Sequence, residues 1–140
     1  MGEKIFYEDC PYKDSHTYSH DKTAELIKGL LSLGTSNAYI SLGEDTATKE
    51  IVGVFGAMRT FITVSQEPTA VEVLWWVDKV ARNTRLSLKL IKAYEYWANL
   101  IGVKRLVIAS MSNEHSGSVD RLYTKMGYRL AEKTYVKKVI

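Results

Sequence analysis

The sequence is poor in the features that mark secreted and membrane proteins. It holds one cysteine, Cys10, so no internal disulfide can form, as is typical of proteins in a reducing compartment. No uncharged apolar run approaches the length of a membrane span, and the first ten residues, MGEKIFYEDC, lack a signal-peptide pattern. These absences favour a soluble cytoplasmic protein with no membrane partner.

Patterns for metal or nucleic-acid binding are equally scarce. His16 and His20 lie four residues apart, but no zinc-type spacing of Cys and His accompanies them, so we expect no metal. The formal net charge of +3 is mild and is not gathered into a dense basic stripe. Nucleic acid is therefore not an expected partner, whereas a phosphorylated ligand or a modestly acidic partner fits this charge.

The length and the apolar content favour one folded domain over residues 1–140. With 46% hydrophobic and 11% aromatic residues, the chain can bury a real core, which excludes a disordered protein. No internal repeat, linker or low-complexity segment divides the 140 residues.

One central stretch organises the chain. Residues 71–77 are apolar and β-branched or aromatic except for Glu72, a pattern that predicts a strand covered on both faces. From Leu86 the period changes to that of an amphipathic helix, which Gly102 closes as a C-cap. The residues on this helical stripe are Leu86, Leu90, Tyr94, Trp97 and Ile101.

The turn between this strand and helix, residues 78–85, is polar and basic. A strand that enters a helix through such a turn directs the helix's free N–H groups away from the end of the sheet. Those N–H groups and the helix dipole favour an anion, and Arg82, Arg85 and Lys89 lie close in sequence. The pattern predicts an anion-binding site at the start of the helix.

The remaining segments predict an α/β fold with a mixed sheet (α+β) in the order β-α-β-β-β-α-β-α-β. The early strands favour antiparallel neighbours, and the β-α-β unit over residues 71–109 favours a parallel pair with helices on both faces of the sheet. Strands are predicted at 4–7, 37–42, 51–64, 71–77, 104–109 and 128–139. Helices are predicted after a cap at Ser19 or Asp21 as far as Gly34, from Leu86 to Ile101, and at 118–126.

Four pieces of sequence, in this order and spacing, carry a family resemblance. They are the strand ending LWWV, Arg82 before an apolar helix, a post-helix strand followed by Asn113, and LYTKMGY at 122–128. Together they resemble the GCN5-related N-acetyltransferase (GNAT) superfamily, with the likeness best over residues 75–128. The helix end at 95–102, EYWANLIG, is also similar to small phage and bacterial members.

The resemblance implies the GNAT acyl-CoA N-acyltransferase fold and transfer of an acetyl group from acetyl-CoA, as co-substrate, to an amine by direct attack. It implies that Tyr123 protonates the departing thiolate, and Glu72 is the best candidate for the base. It also implies cofactor contacts by Trp75, Trp76, Val77, Arg82, Asn83, Thr84, Arg85, Leu86, Ser87, Asn113 and Tyr123. The acceptor is an amine-bearing small molecule or protein, and a homodimer is compatible with the family.

The sequence departs from the family at the phosphate-binding turn. Arg85 and Ser87 stand where a glycine and a small residue are expected. Ser87 is small enough to be tolerated, whereas Arg85 can either crowd the pyrophosphate or pair with it. The alternative function is therefore a catalytically degenerate GNAT-fold protein that acts as a protein-binding or regulatory module.

Ordinary structural roles compete with several of these assignments. Tyr123 can simply pack its ring on the sheet, and Glu72 can face water or pair with a lysine. Trp75 and Trp76 point to opposite faces of a strand, so at least one of them belongs to the core.

Overall fold

The computed structural model describes residues 2–14, 16–62, 64–82, 84–111 and 116–139. Contacts divide the chain into two compact units. We call residues 24–108 the central unit, and residues 1–23 with 109–140 the terminal unit. None of the helices in the described ranges combines the length and apolar character needed to cross a bilayer.

The secondary structure begins with two helices and continues with a sheet. The elements are α1 (Gly2–Asp9), α2 (His20–Ser32), β1 (Ala38–Glu44), β2 (Ile51–Phe61), β3 (Pro68–Val77), a 3₁₀ turn (Lys79–Ala81), α3 (Leu86–Leu100), β4 (Arg105–Val107) and α4 (Ser116–Lys125). The sheet has the order β1-β2-β3-β4. The β1–β2 and β2–β3 pairs are antiparallel, whereas β3 and β4 are parallel. The predicted mixed sheet and its parallel pair are confirmed.

Helix α3 packs its predicted apolar stripe on one face of the sheet. The ring of Tyr94 stacks on Phe55 with centroids 4.7 Å apart, and Trp97 stacks on Tyr39 at 5.5 Å. The Tyr94 hydroxyl donates to the carbonyl of Val107 at 3.0 Å, so the helix is also tied to the end of β4. These contacts confirm that Tyr94 and Trp97 belong to the core.

The caps that the sequence predicts for α2 and α3 are present. The Ser19 hydroxyl accepts a hydrogen bond from the N–H of Lys22 at 3.2 Å, which satisfies one of the free donors at the start of α2. Gly34 and Gly102 follow α2 and α3 with φ of +77° and +75°, a conformation that favours glycine.

The predicted strands at the two ends of the chain are wrong. Residues 4–7 lie inside α1, where Ile5 is buried and the ring of Phe6 contacts those of Tyr7 and Tyr18. Contacts with a later segment therefore override the β-propensity of this short run. Residues 128–139 contain no strand, and 129–139 are exposed throughout. No described strand lies beside these residues. A single strand without a partner is not stable, so the loose alternation alone does not produce one.

Candidate active site

Strand β3 carries a β-bulge in the middle of the central unit. Gly56 pairs with Leu74, but the next residue of β2, Ala57, pairs with Glu72, which leaves Val73 as an extra residue in β3. Bulges of this kind change the direction of local backbone groups and are common beside active sites.

The parallel neighbour of β3 stops just before this bulge. Pairing with β4 covers Thr69 to Val71 and ends at the Val71–Val107 pair. Within the part of the chain that the structure describes, no strand covers that side of β3 from Val73 to Val77. The two parallel strands therefore pair at one end only, and the bulge lies at the point where their pairing ends.

The turn after β3 is closed by its own polar side chains. The Asp78 carboxylate accepts from the N–H of Val80 at 3.3 Å and caps the 3₁₀ turn. The half-buried Arg82 side chain donates from Nε to the carbonyl of Val77 at 2.9 Å. Arg82 therefore ties the turn to the end of β3.

Helix α3 presents open backbone donors at its first turn. The Thr84 hydroxyl accepts from the N–H of Leu86 at 3.2 Å and donates to the carbonyl of Ala81 at 2.6 Å. The N–H groups of Ser87 and Leu88 make no hydrogen bond with any described residue. Because the N-terminal N–H groups of a helix lack intrahelical acceptors, these two donors are suited to an anion.

Arg85, the residue that departs from the family pattern, does not distort this turn. Its φ of −80° and ψ of 8° lie in a region that any residue adopts, so the position needs no glycine for its conformation. Its side chain makes no capping hydrogen bond and is exposed. The Arg85 side chain is therefore accessible to solvent rather than packed inside the turn.

Leu86 positions the start of α3 by packing on two glycines. Gly43 and Gly53 face each other across β1 and β2. A Cβ at Gly43 would lie 2.6 Å from Leu86 Cδ1, and one at Gly53 would lie 3.0 Å from Leu86 Cδ2. The Leu86 side chain thus anchors the start of α3 on the β1–β2 hairpin, and its cofactor contact stays a prediction.

A cavity of about 270 Å³ lies between the first turn of α3 and the β1–β2 hairpin. Arg85 and Lys89 line it together with Glu44 and Asp45, so it holds charges of both signs. Hydrogen bonds from the N–H groups of Thr48 and Ala47 hold the pKa of Asp45 below its ordinary value. Since this carboxylate is ionised at neutral pH, the cavity by itself does not favour an anion, in contrast to the N–H groups of the first turn.

Tyr123 belongs to the terminal unit, where α4 places it in the interior. Its side chain is buried, and its hydroxyl donates to the carbonyl of Ala109 at 2.6 Å. Gly127, with φ of +90°, ends α4 as the LYTKMGY motif predicts, and Tyr128 packs its ring 5.8 Å from that of Tyr123.

The other predicted site residues have mixed outcomes. Trp76 and Val77 are buried at the end of β3, and Trp75 is half-buried with its ring 6.5 Å from that of Phe55. Glu72 is half-buried and pairs with Ala57 beside the bulge. Asn83 and Asn113 lie outside the described residues. In the described part of the chain, no three His, Cys, Asp or Glu residues cluster closely enough to hold a metal ion.

Two features of the site have little or no signal in the sequence. The bulge at Val73 depends on the register between two strands, and only the nearby Gly56 marks it. The sequence shows the two glycines below Leu86, but it does not show which helix packs above them, and their role depends on that helix.

Comparison with known proteins gives matches among solved structures only. No family model matches the sequence, and no curated protein matches it. The chain is similar to glucosamine-6-phosphate N-acetyltransferase from Arabidopsis thaliana, with 15% identity and a TM-score of 0.67, over 89% of this chain and 84% of that one.

Two further solved structures give similar values. An aminoglycoside antibiotic 6'-N-acetyltransferase from Acinetobacter haemolyticus has 17% identity and a TM-score of 0.67, over 100% of this chain and 96% of that one. AAC(6')-Iy in complex with the bisubstrate analogue CoA-S-monomethyl-acetylneamine has 12% identity and a TM-score of 0.67, over 91% and 84%. At these identities the likeness establishes architecture: the chain has the fold of the GCN5-related N-acetyltransferases.

Proposed function

We propose that the protein is an N-acetyltransferase that transfers an acetyl group from acetyl-CoA to an amine. The observation that carries this proposal is the bulge at Val73, which lies where the pairing of β3 with β4 ends, on the strand that leads into the open first turn of α3. An extended thioester needs such a combination: an uncovered strand edge for its arm and backbone donors for its phosphates.

Acetyl-CoA supplies the acetyl group as an activated thioester. The N–H groups of Ser87 and Leu88 bind the diphosphate, and the exposed Arg85 guanidinium pairs with it from the mouth of the turn. Arg82 keeps the turn in place through its bond to Val77. The backbone from Trp75 to Val77 lies alongside the pantetheine arm.

The acetyl carbonyl needs a hydrogen-bond donor while the amine attacks. Trp76 and Val77 are among the cofactor contacts that the resemblance implies, but for this donor the bulge favours the backbone at Val73. Glu72 stands beside the bulge as the base that accepts the proton of the amine, directly or through water. Tyr123 stays a prediction as the acid that protonates the thiolate.

By their names, the structural neighbours act on two kinds of amine, an amino sugar phosphate and aminoglycosides. Both are small molecules, which supports a small amine-bearing acceptor for this chain. The alternative of a degenerate binding module gains no support from the turn, because Arg85 is exposed and its backbone is unstrained.

The test combines a binding measurement with a turnover measurement. Acetyl-CoA at millimolar concentration is expected to raise the melting temperature, since a ligand that binds only the folded protein stabilises it. Thiol release in the presence of a panel of primary amines then reports transfer. An unchanged melting temperature, with no thiol released for any amine, would refute the proposal and favour the binding-module alternative.

A further inference from the structure

A second cavity in the central unit lies on the face of the sheet opposite α3. Phe55 stacks on α3, so its neighbours Val54 and Gly56 point to the other face of β2. There a cavity of about 280 Å³ separates α2 from the sheet, bordered by Leu30 of α2, Val54, Gly56 and Leu74.

The lining of this cavity is entirely aliphatic apart from Gly56. Among the described residues, no titratable or hydrogen-bonding side chain borders it, so the cavity offers nothing to the hydroxyls of a sugar or to a second ammonium group. Its volume exceeds that of an apolar cavity of about 150 Å³ that holds benzene. It therefore matches an apolar group of the size of a substituted aromatic ring.

The cavity meets the proposed reaction centre at one pair of residues. Gly56 and Leu74 form its inner wall, and they are the last regular pair before the bulge at Val73. A group held in the cavity would therefore lie next to the backbone proposed to hold the acetyl carbonyl. Since α3 occupies the opposite face, a ligand in this cavity approaches the bulge from the side away from the helix that binds the diphosphate.

From this geometry we infer that the acceptor is a primary amine with an apolar body, such as an arylalkylamine, whose apolar group occupies the cavity below α2. This inference rests on the proposed function and gives its acceptor class. The amine nitrogen forms the amide bond as the thioester C–S bond breaks, and the proton lost by the amine ends on the sulfur of CoA. The acceptor class differs from the polar amines named for the structural neighbours.

The test compares 2-phenylethylamine with ethanolamine. Both contain an aminoethyl group, which carries an apolar phenyl ring in the first and a hydroxyl in the second. With saturating acetyl-CoA, kcat/KM for 2-phenylethylamine is expected to exceed that for ethanolamine at least about tenfold, the discrimination that burial of small apolar groups supplies. Equal values, or a preference for ethanolamine or glucosamine-6-phosphate, would overturn the inference and leave the proposed function intact.

Two variants locate the effect in the cavity. Gly56→Val fills it, and the β-carbon itself fits, since its nearest neighbours would be Leu30 Cδ1 at 3.5 Å and Leu74 Cβ at 3.6 Å. The ratio of the two kcat/KM values is expected to fall at least about tenfold. Leu31→Ser at the mouth of the cavity should lower the ratio, whereas Leu100→Ser should not, although both leucines are helical and 68% exposed. Unchanged ratios in both cavity variants would contradict the inference.

Two further measurements separate the remaining explanations. A preference for hexanoyl-CoA over acetyl-CoA that Gly56→Val abolishes would assign the cavity to the acyl chain and overturn the inference. If no amine is acetylated, the proposed function fails, and methyl NMR of Leu30 and Val54 with 2-phenylethylamine decides the ligand class. Shifts of these methyl signals would support an apolar amine in the cavity, and their absence would exclude it.

Discussion

The side chain of Leu86 lies directly above Gly43, so close that a β-carbon on the glycine would be 2.6 Å from Leu86 Cδ1. This contact fixes the first residue of α3 to the β1–β2 hairpin, which comes earlier in the sequence. Because the N–H groups proposed to bind the diphosphate belong to the same helical turn, this contact determines where they lie.

Gly43→Ala should therefore destabilise the protein by about 1 to 3 kcal/mol, the usual cost of overpacking. It should also weaken acetyl-CoA binding, because the Leu86 side chain that anchors the start of α3 must move. Gly29→Ala is the matched control, since a β-carbon there meets nothing within 4 Å inside helix α2. It should stabilise by about 0.5 to 1 kcal/mol. Thermal unfolding measures both changes.

The double variant Gly43→Ala with Leu86→Ala tests the contact itself. Removing the leucine side chain makes room for the new methyl group, so the two substitutions should cost less together than the sum of their separate costs. Strict additivity in the unfolding free energies would show that the two residues do not contact each other as described.

The two arginines of the turn should separate into a binding residue and a structural residue. Arg85→Ala should lower acetyl-CoA affinity about tenfold and reduce its salt dependence, because it removes one charge-assisted contact to phosphate. Arg82→Ala should instead destabilise the fold by about 1 to 2 kcal/mol, because the bond to the Val77 carbonyl is lost. Calorimetric titration at two salt concentrations distinguishes them, and equal affinity for wild type and Arg85→Ala would exclude the proposed phosphate contact.

Tyr123→Phe removes the proposed acid and keeps the ring. Turnover should fall about a hundredfold, within the range for a lost general acid, while acetyl-CoA affinity stays nearly constant. The hydroxyl also donates to Ala109, so stability is measured in parallel to separate that loss. Tyr96→Phe, which alters an exposed tyrosine of α3, is the control and should leave turnover unchanged. A wild-type rate for Tyr123→Phe would remove the acid role.

The centre of the chain could be predicted from the sequence because its signals are local and agree with one another. The spacing of Leu90, Tyr94 and Trp97 defines one helical face, and that face is the one buried on the sheet. Gly102 and Gly127 stand where their helices need a positive φ, so the ends of α3 and α4 could also be predicted from the sequence.

The remaining features depend on contacts that the sequence does not display. The run at 4–7 has strand composition, but it is helical because its aromatic residues pack on a segment further along the chain. Residues 128–139 alternate loosely and pair with no described strand. The bulge at Val73 and the cavity beside Gly56 arise from strand register and from the position of α2.

The central claim is that acetyl-CoA binds across the first turn of α3 and along β3. Backbone amide NMR during titration with acetyl-CoA tests it directly, since each N–H reports its own hydrogen bond. The account predicts the largest shifts at Ser87, Leu88 and Val73, at concentrations that also raise the melting temperature. Unshifted signals from these three amides at millimolar acetyl-CoA, or shifts confined to other parts of the chain, would contradict it.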